Sequence, residues 1–445
     1  MARIYPFRAW RFNPSAVRLE DVVTQPYDKI TPAMQQAYYQ RSPYNLVRII
    51  LGLPELFDAE RGESVYTRAA RDFRAWREEG VLAQEKQPCV LAYAQRFTVP
   101  GANQASEPPT VLERRGFIAL GRLHEYADQV VFRHEQTLAR PKSDRLNLLR
   151  ATRAHFGQIF MLYSDPARTV ETMLFDGSGI PEVAVTDEHG VVHRVWRISD
   201  PATIRLLAAA MADKKLIIAD GHHRYETALN YMREHAAAET RQETSTAQLP
   251  HPPFAEAAAM MTFVNMDGEG LVILPTHRVV HKLEHFEVQP FLQSAGEFFQ
   301  VNPLPAQDAS GLIAALRRQS GTAFIAVTRG GDFLLRAKPE AAAALGSVPE
   351  RLRQLDLTQL HALVLERLLG LDAEKVRQET NIRYLRDAAE AVDQVRRGDA
   401  QIGFLTNPVT MEELREVAFA GEVMPQKSTD FFPKLLSGLA IYALD

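Results

Sequence analysis

The clearest change of hydrophobic pattern along the chain lies between residues 216 and 232. Residues 216–219 form a short, fully apolar run, which is typical of a strand buried on both faces of a sheet. From Tyr225 to Met232, apolar side chains follow the i, i+3, i+4, i+7 spacing of an amphipathic helix. The pattern therefore predicts a buried strand, a turn at Asp220 and Gly221, and a helix after it.

Comparable patterns elsewhere predict both helices and strands. A helix is predicted to open at Thr31, others to cover residues 63–80 and 144–155, and another to run from a variant capping box at 356–359 to Gly370. A strand running into a turn is predicted at 22–28. Further strands are predicted at 88–99, 114–124, 156–163, 260–265 and 271–280, and hairpins at 183–198 and 323–335. We expect residues 88–99 and 114–124 to pair across a surface loop at 100–110, and the strands within 260–280 to be joined at Asp267 and Gly268. The predicted fold class is α/β, of the mixed α+β kind.

A polar, proline-containing stretch divides the chain. Residues 236–256 combine Ala, Glu, Thr and Gln with several prolines and predict a linker or a long loop. At 445 residues the chain exceeds one ordinary hydrophobic core. We therefore expect two regions: residues 1–250, which carry the strand, turn and helix, and residues 251–445, a second α/β region that contributes to the site.

The composition excludes several classes of protein. Hydrophobic residues make up 46% and charged residues 24% of the sequence, as in globular proteins, and the net charge is only −4. A net charge this small predicts no extensive electrostatic binding of nucleic acid or of an anionic membrane. No run of the sequence approaches the roughly 18 apolar residues of a membrane span. The single cysteine, Cys89, cannot form an internal disulfide, and a cytoplasmic protein is the simplest expectation.

The predicted turn carries Asp-Gly-His-His-Arg at residues 220–224. Gly221 lets a ligand approach the backbone, and the start of a helix favours an anion. His222, His223 and Arg224 add donors, and guanidinium suits phosphate oxygens well. Asp220 fits a Mg²⁺ ligand or a proton acceptor better than another phosphate contact. The structural alternative is an Asp-capped helix with two incidental histidines.

Other charged segments fit the same chemistry. His134 and Glu135, followed by Lys142 and Arg145, gather the cations and carboxylates that phosphoryl transfer needs, although a polar loop entering a surface helix would look the same. The turn formed by Lys427, Ser428 and Thr429 predicts an anion-binding loop that lacks the glycines of a Walker P-loop. Arg278 follows a predicted strand and is expected to reach a phosphate or to form a salt bridge. We expect these segments to converge with His223 and Arg224 on one cleft.

The histidines also raise a zinc hypothesis. In that hypothesis the ligands are Glu135 and the imidazoles of His124, His134, His155, His222 and His223. No two of these residues form a helical His-x-x-x-His pair or a Glu-x-x-His pair that would support it.

The Asp220 turn resembles the phosphate-binding turn of the ParB/sulfiredoxin superfamily. The corresponding turn of ParB proteins binds CTP, and a Gly-Cys-His-Arg version in sulfiredoxin binds ATP. Free L-serine kinases of that superfamily also read Asp-Gly-His-His-Arg. Gly221, His223 and Arg224 match the shared pattern, while Asp220 and His222 match the serine-kinase form. The resemblance implies a ParB/sulfiredoxin-like nucleotide-binding core.

A second resemblance extends over most of the chain. It rests on Gln-Pro-Tyr-Asp at 25–28, Arg-His-Glu-Gln-Thr at 133–137, Pro-Lys-Ser-Asp-Arg at 141–145, the Asp220 turn, Leu-Pro-Thr-His-Arg at 274–278 and Met-Pro-Gln-Lys-Ser-Thr at 424–429. These motifs are together similar to a widespread family of conserved bacterial proteins that are often encoded beside serine-biosynthesis enzymes. That family implies no specific activity, but its neighbourhood agrees with the serine-kinase form of the turn.

Together these expectations describe a kinase-type phosphotransferase that uses ATP or ADP with Mg²⁺. The predicted acceptor is a small hydroxyl metabolite, with free L-serine preferred and O-phosphoserine as the product. The alternatives are a nucleotide hydrolase that uses the same turn and a non-catalytic nucleotide or metabolite sensor linked to serine metabolism. The expected partners are nucleotide and substrate, not nucleic acid or membrane, and a homo-oligomer stays open.

The predicted site residues fall into three groups. Asp220, Glu135 and His134 are the predicted catalytic residues, and Asp220 and Glu135 the predicted metal ligands. The predicted phosphate-binding residues are Gly221, His222, His223, Arg224, Lys142, Arg145, Arg278, Lys427, Ser428 and Thr429.

Overall fold

The structure is a computed structural model that describes residues 1–55, 58, 62–100, 110–135, 139–235 and 249–445. Most of the predicted loop at 100–110 and of the predicted linker at 236–256 lies outside the described residues. Gln136 and Thr137 of the second motif lie outside them as well.

The strands occur throughout the described chain. In chain order they are β1 Ile4–Tyr5, β2 Trp10–Phe12, β3 Leu82–Gln84, β4 Val90–Thr98, β5 Val111–Arg122, β6 Val131–Phe132, β7 Ala154–His155, β8 Ile159–Tyr163, β9 Val183–Thr186, β10 Val192–Ile198, β11 Leu216–Asp220, β12 Ala258–Asn265, β13 Val272–Leu274, β14 His277–Val280, β15 Phe299–Leu304, β16 Ala323–Thr328, β17 Gly331–Ala337, β18 Ile382–Leu385, β19 Ile402–Thr406, β20 Asp430–Phe432 and β21 Tyr442–Ala443.

The α-helices are distributed among these strands, in some places several in succession. They are α1 Leu19–Val22, α2 Pro32–Arg41, α3 Val47–Ile50, α4 Val65–Glu78, α5 Ala139–Thr152, α6 Thr169–Phe175, α7 Pro201–Met211, α8 His222–His235, α9 Val288–Ala295, α10 Ala309–Arg317, α11 Pro339–Ala343, α12 Glu350–Arg353, α13 Asp356–Gln359, α14 Ala373–Arg377, α15 Ala388–Arg397 and α16 Met411–Phe419. Short 3₁₀ turns lie at Tyr27–Lys29, Tyr126–Asp128 and Ala255–Ala257, and a π-helix covers Leu360–Leu368. The predicted mixed α/β class is confirmed.

The chain folds into two compact units. The first comprises Met1–Arg133, Thr137–Val272 and Pro433–Asp445, and the second comprises His134–Gln136 and Ile273–Phe432. This division differs from the predicted one at residues 250 and 251, because β12 lies between β5 and β8 in the sheet of the first unit. The last residues of the chain also return to the first unit, where β21 pairs with β7.

The first unit is organised around a mixed sheet. Its strand order among the described residues is β6-β11-β8-β12-β5-β4-β10-β9, with β1 on β5. Strand β11 is parallel to β6 and antiparallel to β8. The apolar face of α8, with Tyr225, Ala228 and Leu229, packs into the core of this sheet. The sequence pattern predicted that face, and its burial fixes the direction in which α8 leaves the sheet.

The second unit has a separate sheet and core. Its sheet order is β15-β17-β16-β19-β14-β18, and β20 pairs with β13 in a two-stranded ribbon. Helices α10 and α15 contribute Leu312, Leu316 and Val395 to a core shared with β16 and β19. A second α/β region was predicted in this part of the chain, and its own core explains why it is compact.

Several predicted elements are confirmed. The hairpins β9–β10 and β16–β17 form, and β4 pairs with β5. The Thr31 hydroxyl accepts a hydrogen bond from the N–H of Met34 at the start of α2. Helix α4 ends just before Gly80, whose φ is +74°. Among the described residues, no helix combines the length and the apolar character that a membrane crossing requires.

Other predicted elements are wrong in detail. The predicted capping box is absent: Leu355 is the N-cap of α13 without a side-chain bond, and Asp356 lies inside the helix. Of the strand running into a turn that was predicted at 22–28, the strand is reduced to a single bridge from Thr24 to Ser437, because α1 extends to Val22. The predicted turn is present as the 3₁₀ turn at Tyr27–Lys29. Strands β12 and β13 are joined across Asp267 and Gly268 as predicted, and each pairs with a strand distant in sequence. Tertiary context therefore decided the structure where the local pattern was wrong.

Candidate functional site

The Asp220 turn lies at the strand-to-helix junction that the hydrophobic pattern predicts. Strand β11 ends at Asp220, α8 begins at His222, and Gly221 between them has a φ of +94°. Glycine adopts that left-handed conformation without the steric cost that a Cβ brings. The predicted strand, turn and helix are therefore confirmed, and the positive end of the α8 dipole lies at the turn.

The guanidinium of Arg224 covers this turn. It donates a hydrogen bond to the main-chain carbonyl of Gln158, and its Nη2 lies 3.7 Å from a carboxylate oxygen of Asp220. A Cβ added to Gly221 would lie 3.0 Å from Nε of Arg224. The Arg224 side chain is 14% exposed, so it is packed against the turn but not sealed within the protein.

Asp220 is surrounded by cations. The Nζ of Lys434 lies 3.1 Å from its second carboxylate oxygen. Burial alone would raise the pKa of Asp220, but the charges of Lys434, Arg224 and Lys29 together hold that pKa well below its ordinary value. Asp220 is therefore ionised at neutral pH, and the group as a whole carries more positive than negative charge.

Lys434 was not predicted from the sequence. It stands in a mostly apolar run after Phe431 and Phe432, where a lysine gives no local sign of binding chemistry. Its side chain is 7% exposed, which is unusual for lysine unless the ammonium has a charged partner. The only signal in the sequence is this lysine within an apolar segment, and that signal does not identify Asp220 as its partner.

A small pocket adjoins Arg224 in the first unit. It has a volume of about 70 Å³ and is lined by Pro26, Tyr27, Ile50, Arg145, Leu148, Leu149, Ala154, His155, Phe156, Gly157, Arg224, Thr227 and Ser437. The guanidinium of Arg145 lies 4.1 Å from the centre of the Tyr27 ring and also bonds the carbonyl of Ile50 at 2.7 Å. Burial raises the pKa of Tyr27 to about 12, so its hydroxyl is protonated at neutral pH. Three of the sequence motifs thus supply residues to one pocket.

The remaining predicted residues of the first unit lie along α8. Lys142 makes an ion pair of 2.9 Å with Glu226, and Arg133 approaches the same carboxylate at 3.6 Å. His222 is buried and His223 half-buried in the first turn of the helix. The 133–145 segment is thus connected to the helix of the Asp220 turn through Arg133 and Lys142. Phosphate contacts by these residues stay a prediction.

In the second unit, the 134–135 segment meets the 424–429 loop. The Nε2 of His134 lies 2.7 Å from the hydroxyl of Thr429, and a carboxylate oxygen of Glu135 accepts from the N–H of Lys427 at 3.2 Å. Ser428 donates to the carbonyl of Pro425 at 2.6 Å. These contacts bring together motifs that are almost three hundred positions apart in the sequence.

Arg278 holds the same loop from another direction. It donates to the carbonyls of Thr276 and Lys427, the latter at 3.1 Å, and it is fully buried. Burial lowers the pKa of Arg278 to about 10. Lys427 itself is exposed and has a φ of +57°, which is unusual for a residue other than glycine. Arg278 thus supports the loop, while its predicted phosphate contact stays a prediction.

The predicted residues fall into both units. Arg224, Lys142 and Arg145 belong to the first unit, whereas His134, Glu135, Arg278 and the 427–429 loop belong to the second. Their convergence on one cleft stays a prediction. Within the described part of the chain, no three His, Cys, Asp or Glu side chains stand together as a potential metal cluster.

Comparison with solved structures gives only distant similarity. A mutant free serine kinase in complex with ADP is 12% identical with a TM-score of 0.35, over 71% of this chain and 87% of that one. A conserved hypothetical protein from Pyrococcus furiosus is 14% identical with a TM-score of 0.33, over 72% and 92%. C-terminally truncated SbnI from Staphylococcus aureus is 10% identical with a TM-score of 0.35, over 72% and 85%. These values are too low to support an argument about function.

Comparison of the sequence with protein families is more informative. No curated protein matches the chain. The family model described as "Protein of unknown function (DUF1015)" matches residues 4–358, which is well over half of the sequence. The chain therefore belongs to the DUF1015 family.

Proposed function

We propose that this protein is a nucleotide-dependent phosphotransferase that acts on a small hydroxyl metabolite, with free L-serine as the preferred acceptor. The observation that carries the proposal is the cluster at the start of α8, where the carboxylate of Asp220 lies 3.1 Å from Lys434 and 3.7 Å from Arg224. The charge of Lys29 also lowers the pKa of this carboxylate. An excess of positive charge in a partly desolvated turn favours a polyanion such as a nucleotide phosphate.

The geometry of the turn supports phosphate binding in particular. Gly221 has no side chain between the backbone and a ligand, and α8 directs the positive end of its dipole toward the same place. Arg224 supplies a planar donor, and His223 is the second side-chain donor in our proposal. The match of residues 220–224 with free L-serine kinases supports ATP or ADP as the donor and serine as the acceptor.

The charge of Asp220 fits a metal-dependent reaction. Mg²⁺ in nucleotide sites commonly binds one or two carboxylates together with phosphate oxygens and water, so a large protein cluster is not needed. In our proposal Asp220 would hold the ion beside the phosphates, and the metal-ligand role expected of Glu135 stays a prediction. When bound, Mg²⁺ would neutralise charge on the phosphates being transferred.

In the proposed reaction, the acceptor oxygen forms a bond to the terminal phosphorus of ATP or ADP. The bond from that phosphorus to the bridging oxygen breaks, and ADP or AMP leaves. The hydroxyl proton passes to a carboxylate. Glu135 suits this role better than Asp220, since a carboxylate with a depressed pKa is a weak base. His134 stays the third proposed catalytic residue, and we place the reaction in the cytoplasm.

The decisive experiment is a phosphate-transfer screen with the full chain. ATP and ADP would each be incubated with Mg²⁺ and with single amino acids or small alcohols, and phosphorylated products would be identified by mass spectrometry. We expect O-phosphoserine to form only when donor, serine and Mg²⁺ are all present. Nucleotide consumption without an acceptor would instead indicate a hydrolase, and binding without consumption a sensor. Absence of both binding and consumption would overturn the proposal.

A further inference from the structure

The last residues of the chain place a lysine in the Asp220 turn. Lys434 is 7% exposed, and its Nζ lies 3.1 Å from one oxygen of Asp220, whose other oxygen is 3.7 Å from Arg224. Burying an ammonium is costly unless it keeps a charged partner. Here the carboxylate of Asp220 lies beside both the Lys434 ammonium and the Arg224 guanidinium.

The main chain that carries Lys434 is held by two buried polar side chains. Gln95 donates to the carbonyl of Lys434 at 2.8 Å, and Arg114 donates to the carbonyl of Pro433 at 2.5 Å. Arg114 also bonds the side-chain oxygen of Gln95 at 3.0 Å, which joins the two into one support. Both side chains are almost completely buried. A support of this kind fixes where the Lys434 side chain begins.

Arg114 binds this carbonyl at a high desolvation cost. It is 1% exposed, and burial lowers its pKa to about 10. Its guanidinium lies 4.7 Å from the centre of the Phe160 ring, which stabilises the cation only in part. A neutral donor would have bonded the Pro433 carbonyl at lower cost. The extra charge instead adds to the positive potential around Asp220, which is the carboxylate that acts on Arg114.

We propose that Lys434 is a phosphate-binding residue that exchanges Asp220 for a ligand phosphate, and that Gln95 and Arg114 are the positioning residues that hold it in place. The inference rests on the proposed binding of nucleotide phosphates at this turn. Without ligand, the ion pair keeps the buried ammonium and the carboxylate compensated. With ligand, the phosphate takes over Lys434, and Asp220 becomes available for Mg²⁺. The dianionic phosphate drives the exchange because it binds the cations more strongly than one carboxylate does.

The test is a cycle of variants measured by calorimetry with ADP and Mg²⁺ and by thermal unfolding. The variants are Lys434→Met, Asp220→Asn and the double variant, with Lys215→Met as the control. Lys215 is an exposed lysine of the same unit that precedes β11. We expect Lys434→Met to weaken ADP binding about ten- to a hundredfold, as for other charge-assisted contacts, and Lys215→Met to leave it unchanged.

The double variant separates ligand binding from a structural role. Lys434→Met leaves Asp220 with less compensation and is expected to lower Tm, whereas removing both charges is expected to restore it. If Lys434 binds phosphate, the double variant will still bind ADP at least tenfold more weakly than the Asp220→Asn variant does. If Lys434 only compensates Asp220, the double variant will bind ADP as tightly as Asp220→Asn, and the inference is overturned. Should Lys434→Met not fold, this comparison still decides the question.

The positioning role of Gln95 has its own readout. Gln95→Met is expected to weaken ADP binding in the wild-type background but to have no further effect in the Lys434→Met/Asp220→Asn background, because its effect passes through Lys434. Equal losses in both backgrounds would show a general structural effect and overturn the positioning role. If Arg224→Ala weakens binding while the Lys434 variants do not, only this inference fails. If the wild-type protein binds neither ADP, ATP nor pyrophosphate, both proposals fail.

Discussion

The guanidinium of Arg224 lies directly over Gly221, where a Cβ would come within 3.0 Å of Nε. Gly221 also has a φ of +94°. Gly221→Ala therefore meets two obstacles, a left-handed backbone and a displaced arginine. We expect it to lower the free energy of unfolding by about 1–2 kcal/mol through the backbone alone, and to weaken ADP binding as well.

Gly177→Ala is the matched control for this prediction. Gly177 has a similar φ of +77°, but nothing lies within 4 Å of the position its Cβ would take. Unfolding by denaturant would measure the backbone cost in both variants, and calorimetry would measure ADP binding. Equal ADP affinity in Gly221→Ala and Gly177→Ala would show that the contact between Gly221 and Arg224 does not shape the site.

Arg224→Ala should weaken nucleotide binding with little effect on the helix. A charge-assisted contact with phosphate contributes roughly 1.5–3 kcal/mol, or about ten- to a hundredfold in Kd. The control is Arg233→Ala on the same helix, where the arginine is 52% exposed and pairs with Glu125. Calorimetry with ADP and ATP is the measurement. Similar affinities of the two variants would mean that Arg224 serves only the turn and the Gln158 carbonyl.

The sequence predicted this turn because local pattern and tertiary structure agree there. The apolar run of β11 and the helical spacing of Tyr225, Ala228 and Leu229 both reflect burial in one core. Local chemistry also selected Arg224 and Gly221 as candidate binding residues, a role that stays a prediction. Such agreement is what allows a strand and its following helix to be recognised without knowledge of the rest of the fold.

Lys434 and the unit boundary depend on long-range pairing instead. Lys434 reaches Asp220 only because the chain end returns to the first unit, where β21 pairs with β7 and Ser437 with Thr24. Likewise β12 follows the predicted linker in the sequence, but it pairs with β5 and β8, which both precede that linker. The local periodicity of the sequence carries no information about such pairings. Neither the contact of Lys434 with Asp220 nor the boundary between the two units could therefore be predicted from the neighbouring residues.

Asp220→Asn is expected to lower turnover more than affinity. The substitution keeps the size of the side chain but removes the charge proposed to hold Mg²⁺, so kcat should fall by about two orders of magnitude or more. Nucleotide affinity should stay equal or rise, because a carboxylate beside phosphates repels them. Turnover and Kd would be measured together. A variant that unfolds, beside an Arg224→Ala protein that binds normally, would identify Asp220 as a structural residue.

The pH dependence of Asp220 follows from its depressed pKa. The pKa of Asp220 is lower in the folded state than in the unfolded state, where it is about 3.9. The ionised carboxylate therefore stabilises the folded protein at pH values above about 3.9, and this stabilisation is lost as the pH falls through the folded-state pKa. Its charge is therefore constant from about pH 5 upward. We expect the stability of wild type and Asp220→Asn to differ by the same amount at pH 5, 6, 7 and 8. A difference that changes across this range would contradict the direction of the shift.

Asp356 should make the second unit less stable as pH rises. Burial, with a smaller effect of Glu413, raises the pKa of Asp356 to about 7. Its folded pKa exceeds the unfolded one, so its contribution is fully present below about pH 4 and is lost as pH rises through 7. Asp356→Asn should remove this loss, which is on the order of 2–4 kcal/mol by pH 8.

Hydrogen exchange is the suitable measurement for Asp356, because all three tryptophans (Trp10, Trp76 and Trp196) lie in the first unit. Amides of β16 and β19 would be followed from pH 5 to pH 8 after correction for intrinsic exchange. The control is Asp393→Asn, which changes an exposed carboxylate of α15. If wild type and Asp356→Asn keep a constant difference in protection across this range, the carboxyl does not titrate with a raised pKa.

Lys427→Gly should separate the stability of the 424–429 loop from its function. Lys427 has a φ of +57°, its N–H is held by Glu135 at 3.2 Å, and its carbonyl by Arg278 at 3.1 Å. Glycine avoids a left-handed cost of about 1–2 kcal/mol but gains about 0.5–1 kcal/mol of unfolded-state entropy, so stability should rise by up to roughly 1 kcal/mol. Lys427→Ala keeps the Cβ and the backbone strain and loses the exposed remainder of the side chain, so it should leave stability nearly unchanged.

The two Lys427 variants then test the predicted phosphate contact. If the exposed ammonium binds a nucleotide phosphate, both variants should weaken ADP binding by the same factor, about threefold to tenfold for one partly exposed charge. The loss should shrink as salt is raised from 50 to 300 mM, since screening acts on exposed charges first. If both variants bind ADP like the wild type while Lys427→Gly is more stable, the strain at Lys427 serves no nucleotide contact. The loop would then be a structural link between Glu135 and Arg278 alone.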